Sequence, residues 1–126
     1  MLDHVSLGTA DLARATAFYD AVLAPLDVVR VWSTPDAVGY GHPGGGDRLA
    51  IKQRAGFAPP GAGFHLALAA RRPDDVDAFF RAAVAHGGTA DGEPGLRPRY
   101  GPGYYAAFVI DPDGHHIEAV CHGAPE

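Results

Sequence analysis

The sequence predicts an α+β protein made of two copies of a βαβββ unit. Three observations predict it. An ungapped repeat runs through the chain, each copy opens on a short alternating strand followed by a helical stripe, and turn-rich segments then separate three short strands. DHVSLGTADLARATAFYDAVL, from Asp3, lies over FHLALAARRPDDVDAFFRAAV, from Phe64, at a constant offset of 61 residues. His4 falls on His65, Leu7 on Leu68, Ala17 on Ala78, Phe18 on Phe79, Tyr19 on Phe80 and Ala21 on Ala82. A period this long with only two copies is no solenoid, and reads as duplication of one supersecondary unit.

Each element follows from its residues. In the opening strands Val5 and Leu7 alternate with His4, Ser6 and Gly8, and Phe64, Leu66 and Leu68 alternate with His65, Ala67 and Ala69. Bulky apolar side chains thus share one face, and the histidine shares the other with small residues. The first helix is capped by Asp11 and carries the stripe Leu12, Ala15, Tyr19, Val22, Leu23 and Leu26. The second is capped by Asp74, carries Val76, Phe79, Phe80, Ala83 and Val84, and stops at Gly87-Gly88. Strands are predicted near residues 27–33, 37–41 and 48–53 in the first copy, and near 89–93, 104–111 and 115–121 in the second. Pro43-Gly44-Gly45-Gly46 and Asp111-Pro112-Asp113-Gly114 supply the turns. The expected organisation is one domain over residues 1–126, with modules 1–55 and 63–122 joined through Gly56–Gly63.

Composition removes several function classes. With 10 Lys plus Arg against 15 Asp plus Glu, the formal charge is −5, which disfavours sequence-independent nucleic-acid binding and docking on an anionic membrane. No basic leader with an apolar run opens the chain, and no stretch reaches the roughly 20 apolar residues of a spanning helix. The cytoplasm is the expected location. The single cysteine, Cys121, is too few for a disulfide or a thiolate zinc site and is read as a small buried residue. Gly44-Gly45-Gly46 lacks the lysine of a phosphate loop, Asp111–Gly114 lacks the spacing of a calcium loop, and no serine stands in a nucleophile elbow.

One constellation remains. Aligning His42-Pro43 with Asp111-Pro112 sets Ile51 against Ile117 and Lys52 against Glu118. Glu118 alternates with Ile117 and Ala119, so it faces away from the helices, where a carboxylate needs a pair or a cation. His4, His65 and Glu118 together are two imidazoles and one carboxylate, a ligand set that leaves metal positions open to water and substrate. The bland alternatives are strand-end histidines bonded to backbone and a Glu118 paired with Lys52 or an arginine. His115, next to the turn, is expected to be exposed, and His116, in phase with Glu118, is the reserve ligand. In GLRPRYGPGYYAA, Arg97, Arg99 and Tyr100 are candidate substrate contacts, since arginine suits carboxylate or phosphate and tyrosine stacks and hydrogen-bonds. Lys52 and Tyr104 are candidates for proton transfer or orientation.

LDHVSLGTADLARATAFYDAVLAPL, GFHLALAA and YYAAFVIDPDGHHIEAV resemble the vicinal-oxygen-chelate superfamily of glyoxalase I, fosfomycin-resistance transferases, bleomycin-resistance proteins and extradiol dioxygenases. The resemblance spans nearly the whole chain, and the DPDG turn running into an inward glutamate is its most specific part. It implies βαβββ modules whose sheets curl into a half-open cup around a metal, with ligand roles on His4, His65 and Glu118. Lys52, read as standing where glyoxalase I-like members have a glutamate, argues against that activity. The expectation is a divalent-metal-dependent small-molecule enzyme, a lyase, isomerase, transferase or dioxygenase, using Zn, Ni, Co, Mn or Fe(II) as a Lewis acid. The alternative is a metal-free protein that sequesters a drug or metabolite. Related short chains dimerise, so a homodimer is expected, with His4 joining the site in cis or from a second chain.

Overall fold

A computed structural model describes residues 1–125. The first module holds β1 (Val5–Thr9), α1 (Leu12–Leu23), β2 (Val29–Thr34), β3 (Ala37–Gly41) and β4 (Leu49–Gln53), with a 3₁₀ turn at Ala24–Leu26. The second holds β5 (Leu66–Ala69), α2 (Pro73–Ala85), β6 (Thr89–Leu96), β7 (Tyr105–Ile110) and β8 (His116–Cys121), with a 3₁₀ turn at Pro98–Tyr100. Each module forms one four-stranded mixed sheet, ordered β1-β4-β3-β2 and β5-β8-β7-β6. β1 pairs with β4 and β5 with β8 in parallel, and the other pairings are antiparallel. The fold is the α+β duplication that the repeat predicts. Among the described residues no helix is long and apolar enough to cross a membrane.

The repeat is visible in the packing. Phe18 and Phe79, equivalent at the offset of 61, are both fully buried, as are the equivalent pairs Ala15 and Val76, and Val22 and Ala83. These positions place α1 and α2 in contact and fuse both modules into one hydrophobic cluster with Leu7, Leu49, Ile51, Val109, Ile117 and Ala119. Cys121 is buried in the same cluster, as its size and position predict.

Local chemistry sets the helix ends. The Asp11 side chain accepts from the Arg14 amide and caps α1. On α2 the expected Asp74 cap is corrected: Arg72 is the N-cap, Pro73 opens the helix, and Asp74 and Asp75 lie in its first turn, where their charges favour the helix dipole. Gly87, at φ +94°, ends α2 as predicted. Val84, expected in the apolar stripe, is instead exposed. β6 runs three residues past its predicted end, through Pro94 to Leu96, because two register shifts let an edge strand absorb the proline.

The modules are also joined by polar bonds from the Asp111–Gly114 turn. The Asp113 carboxylate accepts from the Thr9 hydroxyl (2.6 Å), the Ala10 amide (3.2 Å) and Arg14 (2.8 Å). Asp111 Oδ2 accepts from the Tyr19 hydroxyl at 2.5 Å, and its Oδ1 accepts from the Asp113 and His115 amides. The turn therefore sits on the β1–α1 junction of the other module. That docking corrects the expectation for His115, which is buried at 4% exposure, bonded through Nε2 to the Gly8 carbonyl and flanked by the rings of Phe57 and Phe64.

Candidate functional site: a carboxylate cup on the second module

Strand parity decides what the second sheet presents. Ala107, Val109, Ile117 and Ala119 face the helices. The residues between them, Phe108 and Glu118, are paired in register and face away, beside Ala67 of the parallel neighbour β5. His65 lies two residues before Ala67, in the same phase. The 3₁₀ turn after β6 then brings Tyr100 and Tyr104 over this face. His65, Ala67, Tyr100, Tyr104, Phe108 and Glu118 enclose a cavity of about 400 Å³, within the range of small-molecule pockets.

Glu118 is its floor and is only 2% exposed. Oε1 is 2.5 Å from His65 Nε2, and Oε2 accepts from the Tyr104 hydroxyl, also at 2.5 Å. No arginine or lysine pairs with it among the described residues. The expected alternative pairing with Lys52 or an arginine is therefore not made among the described residues. Burial, followed by the hydrogen bond to Glu118 and its negative charge, pushes the Tyr104 hydroxyl up to about 12. Tyr104 thus holds its proton at neutral pH and aims it at the carboxylate. The His65 ring lies against Phe108 with centroids 5.8 Å apart, and its side chain is 44% exposed, so it is the accessible member of the trio.

The arginines stand around the aromatic lining. The Arg97 guanidinium lies 5.4 Å over Phe108 and donates to the Glu93 and Leu96 carbonyls. Arg99 lies 4.8 Å over Tyr100 and donates to its hydroxyl. His116, the reserve ligand, is turned outward to Asp91 at 3.3 Å and takes no part in the cup. Phe108 was missed by sequence reasoning, although counting back across the Asp111–Gly114 hairpin pairs position 108 with 118.

The remaining candidates lie on the first module. His4 is exposed, bonded to its neighbour Asp3, and lines a separate groove of about 470 Å³ with Leu26, Leu49, Leu66 and Leu68. Only Ala67 borders both this groove and the cup. Lys52 is half-buried on the open face of β4. Strand register corrects its assumed equivalence to Glu118. Ala67 pairs with Glu118, and its repeat-mate Ser6 pairs with Ala50, while Lys52 pairs with Gly8, whose repeat-mate Ala69 faces Val120. Ala50 is therefore the counterpart of Glu118, and Lys52 lies two residues further along. On the same face the Trp32 indole rests on Gly39, and Phe57 covers Gly8.

As donors for a divalent cation, His65 Nε2 and Glu118 Oε1 suit the ion in type and proximity, and the dry carboxylate has no arginine or lysine partner among the described residues. Among the described residues no group of three His, Cys, Asp or Glu side chains comes together. One chain thus supplies two donors, with His4 apart from them.

The comparisons with known proteins agree with this architecture. A glyoxalase/bleomycin resistance protein from Albidiferax ferrireducens T118 shares 36% identity, with 96% of this chain and 98% of that chain covered and a TM-score of 0.84. A glyoxalase-related enzyme from Fulvimarina pelagi shares 25% identity over 96% of this chain and 87% of that one, with a TM-score of 0.75. The fold is also that of a glyoxalase/bleomycin resistance protein/dioxygenase family enzyme from Burkholderia phytofirmans PsJN, at 18% identity, 95% and 97% coverage and a TM-score of 0.74. No curated protein matches the sequence. The Glyoxalase/Bleomycin resistance protein/Dioxygenase superfamily profile matches residues 1–119, and the chain belongs to that superfamily.

Proposed function

We propose that the protein is a divalent-metal-dependent enzyme acting on a small molecule in the Glu118 cup. The observation that carries this reading is a carboxylate almost wholly withdrawn from water, on the open face of a sheet, with no Arg or Lys partner among the described residues. Such a group is costly unless a cation or a protonated imidazole balances it. His65 and Glu118 would hold the metal, and the third ligand, the second imidazole, is His4 of a second copy, since His4 opens into a different groove of its own chain. The protein then works as a cytoplasmic homodimer with two sites, each completed by the first module of the other copy.

When bound, the cation supplies Lewis-acid stabilisation of an oxyanion on the substrate. The chain's own residues do the rest. Tyr104 fixes the orientation of the Glu118 carboxylate through a charge-assisted bond and retains a proton at its Oη. Phe108 and Tyr100 wall the cavity and exclude water from the floor. Lys52, on the open face of the first module, carries or neutralises charge on the substrate.

A specific observation favours a second reading, a metal-free binding protein. Both Glu118 oxygens already have hydrogen-bond partners, and three aromatic rings line the cavity. Metal analysis separates the two. Protein purified without chelator and offered Zn, Ni, Co, Mn or Fe(II) is expected to retain one ion per chain, lost in His65→Ala and in Glu118→Ala. No retained metal after loading, or retention in both variants, would favour the binding protein.

A further inference from the structure

We infer that the ligand of the cup is a planar aromatic anion, an arylcarboxylate in its simplest form. The inference rests on the cup being the functional site and adds the class of molecule that it takes. The cavity of about 400 Å³ has room for one or two fused rings. Its walls are rings rather than aliphatic chains. Tyr100 and Tyr104 lie 5.3 Å apart at 58°, and Phe108 stands 5.8 Å from His65. Inclined rings at such distances receive a flat aromatic guest by edge or offset contact, and fit a puckered aliphatic ring less well.

The charge of the guest follows from the arginines. Arg97 and Arg99 reach this wall, and neither has a carboxylate partner among the described residues, a state they share with Arg48 and Arg81 away from the cup, whereas Arg14, Arg30, Arg54, Arg71 and Arg72 each face one. Arg99 spends one donor on the Tyr100 hydroxyl, and Arg97 donates only to backbone carbonyls. Guanidinium groups centred over aromatic rings, with donors left unspent, present the planar fork that matches a carboxylate. Aromatic rings around a carboxylate also suit an organic cation. Here, however, Phe108 and Tyr100 already carry guanidinium groups, and both Glu118 oxygens are engaged by His65 and Tyr104. An organic cation would meet repulsion from the two guanidinium groups that already occupy those rings.

The test titrates the purified protein with benzoate, cyclohexanecarboxylate, benzamide and benzyltrimethylammonium at one fixed ionic strength, followed by ligand-observed NMR. Metal content is recorded on the same samples. Benzoate is expected to bind about tenfold or more tightly than benzamide and benzyltrimethylammonium, because losing a charge-assisted bond costs that factor, and more tightly than cyclohexanecarboxylate, whose puckered ring fits the inclined walls less well. Arg97→Gln/Arg99→Gln should erase the preference for benzoate over benzamide, and Phe108→Leu the preference over cyclohexanecarboxylate, with metal content unchanged in both. Equal affinity for benzoate and benzamide, tighter binding of benzyltrimethylammonium, or a benzoate preference that survives the double arginine variant would each overturn the inference. The last would mean that the carboxylate binds elsewhere, a bound metal included. Metal content answers separately for the metal reading, so either proposal can fail alone.

Discussion

Tyr19→Phe tests how the DPDG turn holds the modules together. The substitution removes one oxygen and leaves the ring, with its edge contact to Phe18 at 4.9 Å, in place. That oxygen donates to Asp111 Oδ2 at 2.5 Å, and the two residues are 1% and 4% exposed. Its removal strands one oxygen of a buried carboxylate, while Oδ1 keeps its two amide bonds. Hydrogen bonds to charged groups are worth roughly 1.5–3 kcal/mol, so the expected loss is about 2 kcal/mol. For a chain of this size that is a fall of roughly 6–10 °C in Tm. Urea melts followed by far-UV CD measure it, with an unchanged m-value as the check on two-state behaviour. The pH arm has a definite sign. Burial first, then the charge and hydrogen bond of Asp111, raise the Tyr19 hydroxyl well above its usual value. Unfolded tyrosine releases its proton near pH ~10 while the folded residue keeps it, so this contribution is intact below pH ~10 and is lost as pH climbs toward the folded value. Tyr40 and Tyr104 act in the same direction, and Tyr19→Phe should shorten the alkaline fall by up to ~1.4 kcal/mol per pH unit. A variant within ~0.5 kcal/mol of wild type at pH 7, with the same alkaline slope, would refute the reasoning.

Three further outcomes follow from the site. In Glu118→Gln the Tyr104 hydroxyl loses the negative charge, and the charge-assisted character of the hydrogen bond, that help burial hold it near 12, so at pH 11 its tyrosinate absorbance should exceed that of wild type, and Tyr104→Phe should abolish the difference. In Gly39→Ala the new methyl would stand 2.2 Å from the Trp32 indole, the only tryptophan. A changed emission spectrum and a loss of about 1–3 kcal/mol are expected, and an unaltered spectrum would place the indole elsewhere. Unfolding and refolding a mixture of His4→Ala and His65→Ala chains should restore metal binding at one site per mixed dimer, whereas a site built within one chain would show no recovery.

Periodicity carried most of the fold. The offset of 61 identified the core pairs Phe18 and Phe79, and Val22 and Ala83, because burial repeats with the unit. Every predicted strand is present, since alternation and turn residues are local signals. The inward face of Glu118 was legible for the same reason, whereas Tyr100 and Tyr104 were singled out by residue type, and their place beside Glu118 came from the fold. What sequence did not carry was register between strands joined by loops of unequal length. One alignment choice moved Lys52 onto the Glu118 position, where hydrogen bonding places Ala50. Nor did it carry burial created by distant docking: His115 follows a turn, which reads as solvent, yet that turn sits on Thr9, Ala10, Arg14 and Tyr19. The separation of His4 from His65 belongs to the same class, because duplication fixes which face a histidine takes but not which module packs opposite it.

That docking turn also breaks the symmetry of the duplication. The corresponding hairpin of the first copy closes on itself, with the Gly45 amide bonded to the His42 carbonyl, and among the described residues it sends no carboxylate across to its sister. Severed from residues 1–55, the second half would keep two acidic groups whose cross-partners had gone, along with a bared Phe79. The halves of this once-repeated chain are therefore no longer self-sufficient. Heat should dismantle them together, in a single calorimetric event.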